Sequence, residues 1–347
     1  MLCARLFAPN DMRLIDIEKP KAGPGQVVCK VVKCGMCGTD HSIYTATASF
    51  MDIVHFPMTF GHEWSGVVIE LGEGVTDLKI GDRVVGDTAV ACGVCKECLL
   101  GNYLHCRNSH AVGTVNAWDG GYAEYILFPA RHLFKIPDNV SFDNGAMVEP
   151  AATALYSVIR SGLKIGETIL IHGTGPIGIM AAKQAKLHGA AKVIITGRKE
   201  YKLDMALKFG ADAAINTTKE SLTNTVMQLT NGDGVDRVVD AAGSVDLFRE
   251  SIKLTKLGGV ISLVAFYEGA ALSGFNLDDL VFGDLTITGV PGSFGMYQPV
   301  LNMMGAGMLD FTPLISARYK LSEANQAMAD MGAKNDTRIK FMMDVEE

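Results

Sequence analysis

No apolar run in this 347-residue sequence is longer than a β-strand, and the stretch Met1 to Asp11 has neither the charged start nor the long apolar core of a secretion signal. The first absence excludes a helical membrane span, and the second points to a cytoplasmic protein. An excess of positive charge is missing as well. With 31 Lys and Arg against 38 Asp and Glu the net charge is -7, so no basic stripe is present to hold the phosphates of a nucleic acid. The sequence also lacks internal repeats, low-complexity tracts and long flexible linkers. What is there, 48% hydrophobic and 20% charged residues, is the balance of a globular enzyme, and the length suits two domains with a core each.

The chain is organised around Thr168 to Gly178, a short apolar strand that breaks into glycines. Gly173, Gly175 and Gly178 have Gly-x-Gly-x-x-Gly spacing. The first permits a tight turn, the second lets backbone approach a pyrophosphate, and the third lets the next helix pack closely on the strand. Pro176 and Ile177 open that helix, whose amides would face a diphosphate. A glycine-rich turn of this kind is often only a turn. Here a strand precedes it, a helix follows, and a second strand, Lys192 to Thr196, comes at the βαβ distance. Strands are expected at Thr168 to His172, Lys192 to Thr196, Ala213 to Asn216, Val235 to Asp240, Gly259 to Ala265 and Asp284 to Gly289, alternating with helices as in a doubly wound sheet.

The second strand ends in Gly197-Arg198-Lys199. Enzymes that use NAD place an Asp or Glu about 20 residues past the glycine turn, where it binds the ribose hydroxyls and repels a 2′-phosphate. That acid is missing, and two cations stand beside its place. Arg198 can fork onto phosphate oxygens and Lys199 adds a point charge, so NADP(H) is expected in preference to NAD(H). Solvated charges at a helix start are the plainer alternative.

Half of the eight cysteines fall in one loop. Cys92, Cys95, Cys98 and Cys106 supply four thiolates at the spacing of a closed tetrahedral zinc site, which shapes a lobe at about 90–107 and leaves no position open for chemistry. Upstream, residues 2–33 alternate short β-type runs with turns, as in barrel-like material. They lead to Cys37-Gly-Thr-Asp-His41, which is equally readable as a polar loop with one buried cysteine, and then to Gly61-His62-Glu63. Glu149, before Pro150 at a helix start, has the local pattern of a cap or a partner of the helix dipole.

Taken together these marks resemble the zinc-dependent medium-chain dehydrogenase/reductase family, the alcohol and polyol dehydrogenases with a GroES-like catalytic domain, sorbitol and threonine dehydrogenases among them. Cys37-Gly-Thr39, Gly61-His62-Glu63, Gly81-Asp-Arg-Val84, the four-cysteine lobe, Asp119-Gly-Gly-Tyr-Ala-Glu124 and the glycine turn carry the resemblance. It implies an α/β protein with a β-rich GroES-like catalytic domain at 1–150, a six-stranded Rossmann domain at 151–290 and a return to the catalytic domain at 291–347. It implies two zinc ions per chain. Cys37 and His62 are the expected ligands of the catalytic one, with Glu63 or Glu149 as the carboxylate. The Glu149-Pro150 pair, found in polyol and threonine dehydrogenases, favours Glu149. Thr39 is expected to relay the alcohol proton. The relay histidine of many relatives falls at Ser42, and His41 stands one residue earlier. Thr153 joins the glycine turn and Gly197 to Lys199 as a cofactor-binding candidate.

The implied substrate is a small alcohol or its carbonyl, and relatives suggest a homodimer or homotetramer. The Glu149-Pro150 site and Leu155-Tyr-Ser-Val-Ile159 favour a polyol or sugar alcohol and its ketose. An arginine that such enzymes often carry is absent from Gly289-Val-Pro-Gly-Ser293, and Tyr44, Phe50, Trp64, Trp118 and Phe294 would suit a simple or aromatic aldehyde. A cofactor-binding protein without catalysis, and a zinc-independent quinone reductase, are the rival readings. Retention of Cys37, Thr39, His62, Glu63 and Glu149 together argues against both.

Overall fold

The computed structural model describes residues 1–115, 118–333 and 337–346. Its contacts divide the chain into two compact units, one built from Met1–Glu149 and Tyr297–Glu347, the other from Pro150–Met296. The sequence-based division at 150 and 290 differs at the second boundary. Residues 291–296 group with the second unit, and the return begins at the helix Tyr297–Gly305.

The first unit is β-rich. Its longest strand, Gln26–Met36, pairs antiparallel with Glu63–Leu71, Tyr125–Pro129 and Lys340–Asp344. Alternate apolar residues of these strands, among them Val27, Cys29, Val31, Phe128 and Met343, are fully buried and form one core with Phe60, Trp64 and Tyr122. Strand register decides which side chains meet at the end of this sheet. Gly35 pairs with Glu63 and Met36 with Phe341, so the strand delivers Cys37 beside His62, Glu63 and Lys340.

The second unit is a six-stranded parallel sheet in the spatial order Ala213–Asn216, Lys192–Gly197, Thr168–His172, Val235–Asp240, Thr255–Leu263 and Thr286–Gly289. Strands covered on both faces read as unbroken apolar runs, and Ile169, Leu170, Ile171, Val193, Ile194 and Ile195 are all at 0% exposure. Three of the six expected strands held their bounds, the second runs one residue further to Gly197, and the last two begin or end elsewhere. The fifth stops at Leu263, because the Val264 and Ala265 amides both turn to the Asp240 carbonyl. The sixth starts at Thr286, since Asp284, at φ 49°, ends the helix Asp278–Gly283 in a left-handed conformation. No helix among the described residues is long and apolar enough to cross a membrane.

Candidate metal centre and cofactor cradle

Cys37 caps the helix Gly38–Tyr44, and Asp40, at the third helical position, accepts the Cys37 N–H at 3.0 Å. This capping box fixes the thiol and the carboxylate at once. The donor atoms of Cys37, His62 and Glu63 lie within 4.8 Å of one another. Donors around one tetrahedral zinc stand roughly 3.2–3.8 Å apart, so small adjustments bring these three around a single ion.

Asp40 is wholly buried and receives the Tyr122 hydroxyl at 3.0 Å. Its other oxygen faces His62 Nδ1 at 3.5 Å, and neither atom has a hydrogen-bond partner among the described residues. A carboxylate behind Nδ1 leaves Nε2 for a metal and orients the ring. Burial alone would lower the His62 imidazole, but Asp40 and then Cys37 outweigh it and hold the ring well above the usual histidine range. The surroundings therefore favour positive charge, as a cation site requires. Glu63 is ion-paired with Lys340, and a side chain on Gly35 would overlap the Glu63 carboxylate, so the small residue is needed there.

Glu149 stands outside that three-donor set. It lies half-buried in the first turn of the helix Val148–Arg160, and burial pushes its carboxyl up to about 7, while His62 pulls it down and Glu63 up. Thr39 is half-buried on the same helix as Asp40. The His41 ring packs at Gly332, where the helix Ala324–Gly332 ends, and burial lowers it. The fold gathers Cys37, His62 and Glu63, then, and not His41.

Among the four lobe cysteines, the sulfurs of Cys95 and Cys98 are 3.5 Å apart, those of Cys95 and Cys106 3.8 Å, and those of Cys92 and Cys98 4.0 Å. A tetrahedron with Zn–S of about 2.3 Å has edges of about 3.8 Å. The lobe thus fits zinc closely. Backbone N–H groups of Val94 and Cys95 lower the Cys92 thiol to about 6, toward the thiolate that a metal needs.

In the second unit the three glycines divide their work. Gly173 has φ 99°, and Gly178 lies where any side chain would collide with the Gly173 carbonyl. A side chain at Gly175, the N-cap of Pro176–Leu187, would meet nothing within 4 Å, so backbone amides face open space. That cradle fits a diphosphate at a 12-residue helix with its positive dipole end behind it. At the next strand end, a Cβ on Gly197 would come within 2.6 Å of Thr174 Oγ1, which closes the place where an acid would stand. Arg198 and Lys199 are exposed. Arg198 has no partner among the described residues, and Glu200 is engaged by Lys219 at 2.8 Å. Thr153 is half-buried in the helix Val148–Arg160.

Of the aromatic pocket candidates, Trp64 is 2% exposed and packs edge-on against Phe128, so it belongs to the core. Tyr44 and Phe50 lean on the same core, Phe294 stacks obliquely on Tyr156, and Trp118 donates to the Leu127 carbonyl at 3.3 Å.

With this geometry in place, comparison with known proteins is direct. Residues 23–138 match the alcohol dehydrogenase GroES-like domain and residues 176–306 the zinc-binding dehydrogenase family. An L-threonine 3-dehydrogenase from Pseudoalteromonas atlantica is 35% identical over 338 residues, covering 97% of this chain and 98% of that protein. The chain belongs to the zinc-dependent medium-chain dehydrogenase/reductase family. Solved structures of this family superpose over almost the full length. A zinc-binding dehydrogenase from Sinorhizobium meliloti 1021 bound to NADP has a TM-score of 0.92 at 29% identity, covering 99% of each chain. The 2R,3R-butanediol dehydrogenase from Bacillus subtilis has a TM-score of 0.88 at 29% identity, again over 99% of each. As a family member the protein is an oxidoreductase of the zinc-dependent alcohol dehydrogenase type. Three residues behind its donor set carry no role that the sequence alone indicates, Asp40 within its motif among them. Tyr122 lay inside a quoted motif with no role attached. Lys340 left a fainter signal, a cation directly before the apolar run Phe341-Met-Met343.

Proposed function

We propose that the enzyme interconverts a small polyol and its ketose, transferring hydride to and from NADP(H). The observation that carries this reading is the convergence of half-buried Cys37 with buried His62 and Glu63, backed by Asp40 and Lys340, in a chain that also has an open glycine cradle. Cys37, His62 and Glu63 would hold the catalytic zinc, with Glu149 as the alternative or additional carboxylate, and Cys92, Cys95, Cys98 and Cys106 the structural one. When bound, the catalytic ion supplies Lewis acidity, favouring alkoxide character in an alcohol and polarising a carbonyl. The nicotinamide supplies or accepts the hydride. The protein's own tasks are binding, orientation and proton movement. Asp40 fixes the His62 ring, Lys340 fixes Glu63, and Thr39 Oγ1 takes the hydroxyl proton on oxidation while giving up its own toward the cofactor ribose, the reverse holding on reduction.

Three features support NADP(H): the closed acid position at Gly197, Arg198 without a partner among the described residues, and the neighbouring Lys199. For the substrate, the butanediol dehydrogenase at 29% identity supports an alcohol with a polar neighbour, and the L-threonine 3-dehydrogenase at 35% favours a β-hydroxy amino acid as the second reading. A homodimer or homotetramer accords with the exposed apolar surface of Leu257, Leu277, Val281 and Phe282 near the edge strand Thr286–Gly289. The test is initial-rate measurement on the zinc-loaded enzyme with polyols, ketoses, L-threonine and simple and aromatic aldehydes, each with both cofactors. Higher kcat/KM for a polyol or ketose with NADP(H) is the expected result. Preference for L-threonine or for aldehydes would replace the polyol reading, and no turnover of any alcohol or carbonyl would overturn it.

A further inference from the structure

A concave surface beside the four-cysteine lobe has no part in the chemistry above. A cavity of about 430 Å³ opens in the first unit between the turn at Pro24, the lobe's first cysteine and the segment Pro129 to Arg131. Among the described residues its lining contains no carboxylate. Arg131 stands on its wall with Nη2 anchored on the Ala91 carbonyl at 2.7 Å, and its remaining N–H groups have no partner among the described residues. Asn108 and Gln26 add amides, while Pro24, Pro129 and the Trp118 indole form an apolar side. The indole is held in place by its bond to the Leu127 carbonyl.

We infer that this cavity binds a small organic anion, a carboxylate carried on a flat ring or short apolar body. An anchored guanidinium with open donors is suited to a planar carboxylate, which accepts two parallel N–H bonds. A flat body lies against indole and proline at little cost in ordering. The occupant also reaches the lobe. The Ala91 oxygen that anchors Arg131 lies 3.0 Å from His132 Nε2 as well, and Cys92 is the next residue in the chain. Bracing Arg131 therefore braces the first zinc ligand of the lobe, and any ligand that binds the zinc-loaded form more tightly retards loss of the metal.

Trp118 provides the readout, since the only other tryptophan, Trp64, is 2% exposed in the core. Zinc-loaded full-length protein is titrated with benzoate while tryptophan emission is followed. A saturable change is expected, weakened at least tenfold in Arg131→Gln and also in Asn108→Asp, which sets a like charge on the same wall. Both positions are exposed and apart from the catalytic donor set, and both variants should keep the turnover of the native enzyme, with Asn108→Asp keeping its melting temperature as well. Inorganic phosphate, charge without a ring, and benzamide, a ring without charge, should each bind more weakly than benzoate. No saturable change, or one that Arg131→Gln leaves intact, overturns the site, and phosphate binding as well as benzoate overturns the ring-bearing ligand. Transfer of zinc to a chromogenic chelator should slow with benzoate in native protein and not in Arg131→Gln. Equal rates with and without benzoate in native protein overturn the link to the lobe.

Discussion

Lys340 Nζ and Glu63 Oε2 form an ion pair inside the first unit, each side chain only 2% exposed, and the same ammonium donates to the Met36 carbonyl at 2.9 Å. One residue of the pair comes from the last strand of the chain, the other from the end of a strand near residue 63. Their meeting ties the C-terminal return to the metal centre.

Removing one partner of such a pair leaves a buried charge uncompensated, at a cost of about 3–5 kcal/mol. Lys340→Met should therefore lower the melting temperature and reduce the zinc held by the Cys37 set, while Lys340→Arg keeps most of both. Calorimetry and metal analysis on the two variants check this. A Met variant as stable and as zinc-replete as the native protein would show that the pair does not hold Glu63.

Two zinc ions with separate duties predict two separable losses. Cys98→Ser removes one of four thiolates, so the lobe should lose its ion and become sensitive to protease, because metal affinity there is folding energy. Cys37→Ser should keep the lobe zinc and the fold but lose turnover. Elemental analysis of unchelated native protein is expected to give two zinc per chain. One or none would be incompatible with this assignment.

How much of this was legible beforehand depends on whether the signal was local. The lobe cysteines and the glycine turn announce themselves because their chemistry is set by spacing within about fifteen residues. The parallel strands were legible because burial on both faces leaves continuous apolar runs. The Glu149-Pro150 pair favoured Glu149 in the sequence, whereas the grouping of Glu63 with Cys37 and His62 follows from the register of Gly35 against Glu63, a pairing between strands that no spacing reports. Lys340 left only a faint signal for the same reason, being about 280 residues from the Glu63 it pairs with. His41 sits one position from the expected relay, and a shift of one residue on a helix turns the side chain by about 100°; its ring lies at Gly332.

Cofactor choice is tested at Arg198. A charge-assisted bond to a 2′-phosphate contributes about 1.5–3 kcal/mol, so Arg198→Ala should lower kcat/KM with NADPH by roughly 10-fold to 100-fold and leave the value with NADH nearly unchanged. Measuring both cofactors in both proteins decides the matter. Equal efficiency with NADH in the native enzyme, or an equal loss with both cofactors, would show that this turn does not read the phosphate.

His172 predicts a pH dependence with a definite sign. Its ring is at 0% exposure between Thr196 Oγ1 and Ser251 Oγ, both at 2.9 Å, and burial lowers its pKa to about 4. The unfolded chain protonates the same histidine near its ordinary value of about 6.5. Between those limits the unfolded state binds more protons, so the stability that neutral His172 contributes is complete above pH of about 6.5 and is lost as the pH falls toward 4. The loss amounts to about 3 kcal/mol at most. Asp87 works the other way. Burial raises it to about 6, so its unfavourable contribution grows as the pH rises over much of the same range, and the native protein's total curve is flattened. The His172 effect therefore has to be read as a difference. His172→Gln should be less stable than native protein at pH 7 and approach it as the pH falls to 4, because only the native chain then has a buried imidazole to charge. Denaturant unfolding of the two proteins across that interval measures the gap. A gap that stays constant would mean that His172 is not buried neutral in the folded enzyme.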